Sequence, residues 1–447
     1  MMECPHAAGV AKRGCFPERI RRAVARPSEV ARLGEEVFAE EGTPGSRRRL
    51  RLLAGHWRSR VDFELTREQR AVRAMAREWA LAEVAPVIHR YDEAHEFPHE
   101  ILRSLGKTGL LGALVPEEYG GAALDYVSYA LAVEELNRVD ASVGITMWAH
   151  NSLCANHIAL FGSKEQKAAY LPRLARGETL GAWGLTEPGS GSDAAAMTSR
   201  AIPDGPRFIL NGSKAFITNA GVADVAVVMA VTDPARGNKG ISAFVLERGM
   251  QGFRAGRPYR KLGLHASNTA ELVFDSVAVP AANLVGELHR GFVDTMQVLE
   301  GGRVAMAAMA VGIAQAALDQ ALAYMKQRRA FGKTLAEFNG LQGMIADIGT
   351  EVEAARLLTL RAAALKDAGR PAKTAASMAK VFASEVAMKA ASKALQIHGG
   401  AGYITEFPIE RIFRDAKLTE IGEGTSEIQR MVIARDILGF HQERALP

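Results

Sequence analysis

The hydrophobic period of this chain changes twice, and that succession limits the fold more than any single motif. From about residue 66 to 180 apolar residues recur at helical spacing. Leu65, Val72, Met75 and Trp79 form the first stripe, and Pro86, Pro98 and Pro116 punctuate the segment. Asp125 to Asn137 reads as a further amphipathic helix, and Lys164 to Arg176 as a short charged one. Near 181 the period shortens. The runs 208–210, 215–218, 225–231, 241–246 and 271–274 are short and apolar or alternating, and Asn211-Gly212 between the first two is a hairpin-turn signal. This middle third predicts a small barrel or sandwich. Helical periodicity returns after about 291. Leu341, Met344, Ile345, Ile348, Val352, Ala355 and Thr359 share one stripe, and Gly369-Arg370-Pro371 closes that helix. The next runs from about Lys373 to Gln396 and stops at Gly399-Gly400. Ala, Gly and Met crowd these helices, so their axes can approach closely, as in a tight bundle. The expected fold class is α+β and multidomain, with a helical domain over 61–180, a β domain over 181–290 and a helical bundle over 291–447.

The 447 residues suffice for a large core in two or three domains. The net charge of +5 is unevenly spread. Residues 1–60 hold 13 Lys and Arg against 7 Asp and Glu, which leaves 42 against 43 for residues 61–447. The basic character therefore belongs to the extension, and the body offers no nucleic-acid surface. The extension is Arg-rich, with Arg47-Arg48-Arg49 and Arg51, and lacks the apolar stretch of a secretory signal. Glu35, Glu36, Glu40 and Glu41 argue against a transit peptide. A disordered arm and a misplaced start at Val61 stay open. Cys4, Cys15 and Cys154 are too few and scattered for a disulfide framework or a metal cluster, which fits a reducing compartment. No run of 18 or more apolar residues is free of charge, so no membrane-spanning helix is expected.

Two motif matches fail on context. His95-Glu96-Phe97-Pro98-His99 has the spacing of a zinc-protease helix, but Pro98 falls inside the turn that must carry both histidines. The better reading is a loop, with Pro98 opening the next helix at its first position. Gly189-Ser190-Gly191-Ser192-Asp193-Ala194 matches a dinucleotide fingerprint, but Pro188 precedes it and no alternation of strands and helices surrounds it. A Gly/Ser-rich ligand loop remains open there.

Four segments in collinear order carry a resemblance. They are 183–193 (Trp-Gly-Leu-Thr-Glu-Pro-Gly-Ser-Gly-Ser-Asp), 214–219 (Lys-Ala-Phe-Ile-Thr-Asn), 328–333 (Arg-Arg-Ala-Phe-Gly-Lys), and 396–403 with its continuation through Arg414-Asp415-Ala416-Lys417 to Glu423-Gly424-Thr425. Together they resemble the acyl-CoA dehydrogenases over about residues 62–440, most closely the short-chain, butyryl-type members. The resemblance implies a helical N-terminal domain, a middle β-barrel and a C-terminal four-helix bundle. It implies FAD as cofactor and removal of two hydrogens across the Cα–Cβ bond of an acyl-CoA thioester. A carboxylate takes the α-proton and flavin N5 accepts the β-hydride. That carboxylate needs a raised pKa.

The resemblance places the base at Glu423. Ser426 followed by Gln429 reads as a capping box, so a helix opens just after the base and its dipole favours the carboxylate, while burial opposes it. Some family members carry the base on another helix, at the position of Gly302, and Glu300 is the fallback there. By the same resemblance Thr186, Ser192, Phe216, Thr218, Gln396, Gly399, Gly400, Thr425 and Glu427 contact FAD. Arg328 and Phe331 reach the FAD of a neighbouring subunit, which implies a homotetramer built as a dimer of dimers. Ser192, Arg303, Gly424 and Arg435 face the substrate. Asn339 stands where Gln is common. From the residues alone, Phe216 reads equally as barrel core, Arg328 as a solvated helix end, and Arg303 and Arg435 as structural ion pairs. Gly144 stands where glutaryl-type members carry an arginine, which disfavours a dicarboxylate. Gly422 stands where straight-chain members often have Tyr, which leaves branched or aromatic acyl groups open. An electron-transferring flavoprotein is the expected acceptor, in the bacterial cytoplasm or a mitochondrial matrix. The rivals are an acyl-CoA oxidase and a non-catalytic acyl-CoA-binding relative.

Overall fold

The computed structural model describes residues 63–440. The extension over 1–60, with its Arg run, Cys4 and Cys15, lies outside the described residues. α1 (Arg67–Trp79) opens on a reciprocal cap: Thr66 Oγ1 accepts the Gln69 N–H, and Gln69 Oε1 accepts the Thr66 N–H. α2 (Ile88–Ala94) and α3 (His99–Lys107) follow. His95 ends α2 in the left-handed region, and Pro98 occupies the N-cap of α3, one residue before its expected place. The two histidines therefore never share a helical face. α4 (Tyr126–Val139) is almost wholly buried, and α5 (Ala141–Trp148) widens through a π-helical stretch over Ala149–Ala155 into α6 (Asn156–Phe161). α7 (Lys164–Ala175) completes the helical part, its N-cap Ser163 and Gln166 again reciprocal.

The strands are β1 (Gly181–Gly184), β2 (Arg200–Asp204), β3 (Arg207–Thr218), β4 (Val225–Val231), β5 (Ile241–Glu247), β6 (Phe253–Ala255), β7 (Thr269–Pro280) and β8 (Leu284–Val285). They form one mixed sheet in the order β6-β7-β3-β2-β4-β5-β8, with β1 parallel to β4. A single bridge, Arg200 to Val231, joins the two halves. Phe208, Leu210, Leu272 and Phe274 from one half share a core with Val228, Phe244 and Leu246 from the other, so the halves close over a common interior. Asn211-Gly212 is not the hairpin turn. β3 runs straight through it, and the turn lies at Gly205-Pro206 between β2 and β3. The register to β7 shifts between Leu210 and Gly212, which marks a β-bulge. Gly212 has φ 132°, and a Cβ there would lie 2.4 Å from Ser199 Oγ, so only glycine fits.

The last part is built from α8 (Gly291–Gln327), a short hairpin of β9 (Arg329–Ala330) and β10 (Lys333–Thr334), α9 (Asn339–Asp367), α10 (Lys373–His398), α11 (Ile409–Ile421) and α12 (Ser426–Ile437). α8 to α11 form the four-helix bundle, with α8 also packed on α4. α8 is long and apolar enough to cross a membrane, yet every residue from Gly301 to Ala314 is buried in the protein. It is a core helix. Buried alanines of α10, among them Ala379, Ala383, Ala387 and Ala390, set its close approach to α8. One polar knot ties the three parts together. Asp92 of α2 pairs with Arg414 of α11 at 2.9 Å and with His265 Nδ1 at 3.5 Å, and Asp415 Oδ1 accepts the Leu264 N–H at 2.6 Å.

Candidate active site

α11 stops at Ile421, and the chain takes two successive left-handed residues, Glu423 at φ 57° and Gly424 at φ 86°. The first is costly for a residue with a Cβ, on the order of 1–2 kcal/mol, so it must be held. Gln429 Nε2 donates to the carbonyls of Glu423 at 2.9 Å and Gly424 at 3.0 Å, and Lys380 Nζ donates to the Gly424 carbonyl at 2.8 Å. The cap of α12 differs from the one expected. Thr425 is the N-cap, accepting the Ile428 N–H at 3.4 Å, and Ser426 is the first helical residue. Gln429 is committed to the two carbonyls, so it closes no capping box on Ser426.

This turn delivers the Glu423 side chain against α8. Both carboxyl oxygens are buried and neither has a hydrogen-bond partner. A Cβ at Gly302 would lie 2.3 Å from Glu423 Oε1, so glycine at 302 makes the room that the carboxyl occupies. Trp148 Nε1 donates to the Gly302 carbonyl at 3.2 Å and fixes the wall behind it. Burial pushes the Glu423 carboxyl up to about 7, against the opposing charges of Arg303 and Lys380. Glu300 does not compete for this place, because its carboxylate faces Lys366 Nζ at 3.9 Å. Arg303 is buried and its Nε has no partner; burial lowers its pKa while Glu423 and Glu300 raise it. It stands beside Glu423 and makes no ion pair within 4 Å among the described residues. Sequence reading missed Lys380. Its signal was a lysine on the stripe that carries Ala376, Ala383 and Ala387, where a solvated charge has no place.

The β residues expected at the site lie on β3 and on the loop between β1 and β2. The Thr186 carbonyl accepts the Ala215 N–H at 2.8 Å, which sets Thr186 beside Phe216 on β3. A second register shift, between Lys214 and Ile217, and φ 59° turn Phe216 out of the sheet. It is 66% exposed, with Tyr259 5.2 Å from ring to ring, so it is no barrel-core residue. Thr218 is half-buried opposite Thr269. Ser192 is exposed in the Gly/Ser loop between β1 and β2, outside any βαβ unit. Glu187 anchors that loop. It accepts from Thr198 N–H and Oγ1, from Ser199 N–H and from the buried Lys214 Nζ at 2.7 Å. Burial pushes the Glu187 carboxyl up, but Lys214 and these hydrogen bonds outweigh it and hold it at about 2.

Arg328, Phe331, Gln396, Gly399 and Gly400 stand apart from this cluster, all exposed. Tyr324 stacks on His398 at 4.3 Å, which brings the ends of α8 and α10 together. From Gly302 to Arg328 the rise along α8 is about 39 Å. Thr425 is half-buried and Glu427 exposed at the start of α12, while Arg435 is exposed in its last turn.

These residues fit a flavin. An outward aromatic ring, open glycines at 189, 191, 399 and 400 with nothing within 4 Å of a Cβ position, and an orphaned buried carboxyl are what a flat, polar-edged group would complete. Residues 66–178, 182–277 and 289–438 match the N-terminal, middle and C-terminal domains of acyl-CoA dehydrogenase, in that order. The chain belongs to the acyl-CoA dehydrogenase family. It is 48% identical over 377 residues to the short-chain specific acyl-CoA dehydrogenase of Clostridium acetobutylicum, covering 84% of this chain and 100% of that one. Among solved structures, the butyryl-CoA dehydrogenase of Megasphaera elsdenii superposes with a TM-score of 0.83 at 45% identity, covering 85% and 100% of the two chains. A chain in a structure described as electron transferring flavoprotein of Acidaminococcus fermentans matches at TM-score 0.84 and 48% identity, again over 85% and 100%. The acyl-CoA dehydrogenase described here is thus an FAD-dependent oxidoreductase.

Proposed function

We propose that this acyl-CoA dehydrogenase oxidises a short- or branched-chain acyl-CoA to the trans-2-enoyl-CoA, with Glu423 removing the α-proton. One observation carries the assignment of the base: a buried carboxyl with no hydrogen-bond partner, held at about 7, in the room left by Gly302. A base poised near the working pH combines the right protonation state with driving force for proton transfer. Bound FAD supplies the acceptor for the β-hydride. Thr186, Phe216 and Thr218 would hold its ring, and Thr425 and Glu427 would flank it. Ser192, Arg303, Gly424 and Arg435 would meet the substrate, Arg303 on its CoA side, where it also adds positive charge beside the base.

Gly422 and Gly144 are the two positions that bear on the substrate class. The Met306 methyl stands 3.2 Å from where a Cβ at Gly422 would lie, so a flexible thioether occupies the space next to Gly422. A Cβ at Gly144 would lie 2.3 Å from the Asn137 side chain, so this position supplies no cation for a distal carboxylate. The distance between the two clusters of FAD residues supports a second copy that brings Arg328 and Phe331 to the flavin of the first, in a dimer of dimers. The likeness to a chain in the electron transferring flavoprotein structure supports such a flavoprotein as acceptor. Anaerobic bleaching of the flavin by a panel from butyryl- to palmitoyl-CoA, branched thioesters included, tests the substrate; fastest bleaching by long straight chains refutes it. Glu423→Gln abolishes turnover while FAD stays bound, and near-normal activity refutes the base. Peroxide formation in place of flavoprotein reduction would mark an oxidase.

A further inference from the structure

Lys380 is a buried cation for which the reaction has no stated use. Its side chain is fully buried on α10, and its Nζ meets the Gly424 carbonyl at 2.8 Å. No carboxylate lies within ion-pair distance of it among the described residues. A lysine so placed loses hydration without the compensation of a salt bridge. The carbonyl it binds belongs to the second left-handed residue of the turn that carries Glu423. The charged groups facing it are Glu423 from the loop, Glu427 from α12, Glu420 from α11, and Arg303 from α8.

We propose that Lys380 is a positioning residue for the base: its ammonium clamps the strained Glu423-Gly424 turn through the Gly424 carbonyl and sets a positive charge behind the carboxylate. This rests on the reading of Glu423 as the base. Both actions favour one state of the site. The clamp keeps the side chain aimed at the space over Gly302, and the charge favours the ionised carboxylate that accepts the proton. Burial pulls the Lys380 ammonium down to about 8, against Glu423 and Glu420, so it is still charged where the base works. Arg303 adds a second charge from the other side, which leaves the base flanked by two buried cations. Gln429 shares the holding of the turn but carries no charge, so the two contributions of Lys380 can be separated.

The test uses the FAD-loaded enzyme with butyryl-CoA and a dye acceptor. The pH dependence of kcat/KM is measured for Lys380→Met, Lys380→Gln and Lys380→Arg. With the charge gone, Glu423 ionises later, so the acid limb moves up by about one pH unit in the Met and Gln variants. Their loss is then about tenfold larger at pH 6 than at pH 9. Lys380→Arg returns the limb to its wild-type place. Lys380→Gln keeps a donor for the Gly424 carbonyl, so it reports the charge even where the Met variant fails to fold. A loss that is equal at every pH, or an unmoved limb with FAD content intact, overturns the proposal. If Glu423→Gln retains turnover, the reading of the base itself fails; if it is inactive and the limb still does not move, only the role of Lys380 fails.

Discussion

Glu423 owes its chemistry to the contest between burial and its two cations. Its folded pKa of about 7 lies above the ordinary 4.5, so between those values the folded chain holds a proton that the unfolded chain has lost. Stability from this residue is therefore full below pH 4.5 and falls as pH rises through 7, by on the order of 3 kcal/mol. Glu423→Gln should accordingly melt higher than wild type at pH 8, and the gap should close near pH 5; a scanning fluorimetry series at both pH values checks this. Gly302 is the complement of that carboxyl. Gly302→Ala puts a methyl 2.3 Å from where Oε1 now sits, which must displace the carboxyl. A shift of that size predicts a loss of about 10²-fold in kcat with FAD content unchanged. Steady-state kinetics beside a flavin spectrum would show it, and an unchanged kcat would mean the carboxyl does not work from this place.

At the scale of elements, β3 shows how a sheet can turn an aromatic ring outward, where the flavin is proposed to lie. A regular twelve-residue strand would bury or expose its side chains strictly by alternation. Two register shifts break that alternation and turn Phe216 outward between buried Ala215 and Ile217. Such a run in a sequence looks like two strands and a turn, and the Asn211-Gly212 pair strengthens the impression. What makes it one strand is β7, which pairs with both halves, and Ser276, whose N–H donates to Asn211 Oδ1 at 2.8 Å. The loop from β1 depends on β3 through the buried Glu187–Lys214 pair. Lys214→Met leaves the Glu187 carboxylate buried without its cation and should destabilise the chain by about 3–5 kcal/mol. Thermal melts at pH 7 test the magnitude. Glu187's own contribution is present above pH 4.5 and lost as pH falls through about 2, the reverse of Glu423.

For the whole molecule, the separation of the two clusters of proposed FAD residues is the decisive feature. If Arg328 and Glu423 have the roles proposed above, the rise of about 39 Å along α8 between Gly302 and Arg328 favours two chains serving one flavin. The first half of α9 agrees: Ile348, Val352, Ala355 and Thr359 are buried, but Leu341, Met344 and Ile345 of the same stripe are only half-buried. That half of the stripe has the surface a second copy would cover. Co-expressing Glu423→Gln with Arg328→Ala chains should therefore recover activity that neither has alone, because a mixed assembly contains one complete site. Turnover of the mixed sample against each parent decides it, and no recovery would place Arg328 in its own chain's site. The succession of helix, sheet and helix was legible in the sequence because hydrophobic period is a local property, set by which face of each element is buried. The place of Glu423 between a helix end and a helix start was legible for the same reason, down to one residue in the cap. Only the tertiary structure decided that Gly302, more than a hundred residues away, makes room for that carboxyl, that Lys380 stands behind it, and that Asn211-Gly212 bends a strand without ending it. Those depend on how helices cross and which strands pair, and neither leaves a period in the chain.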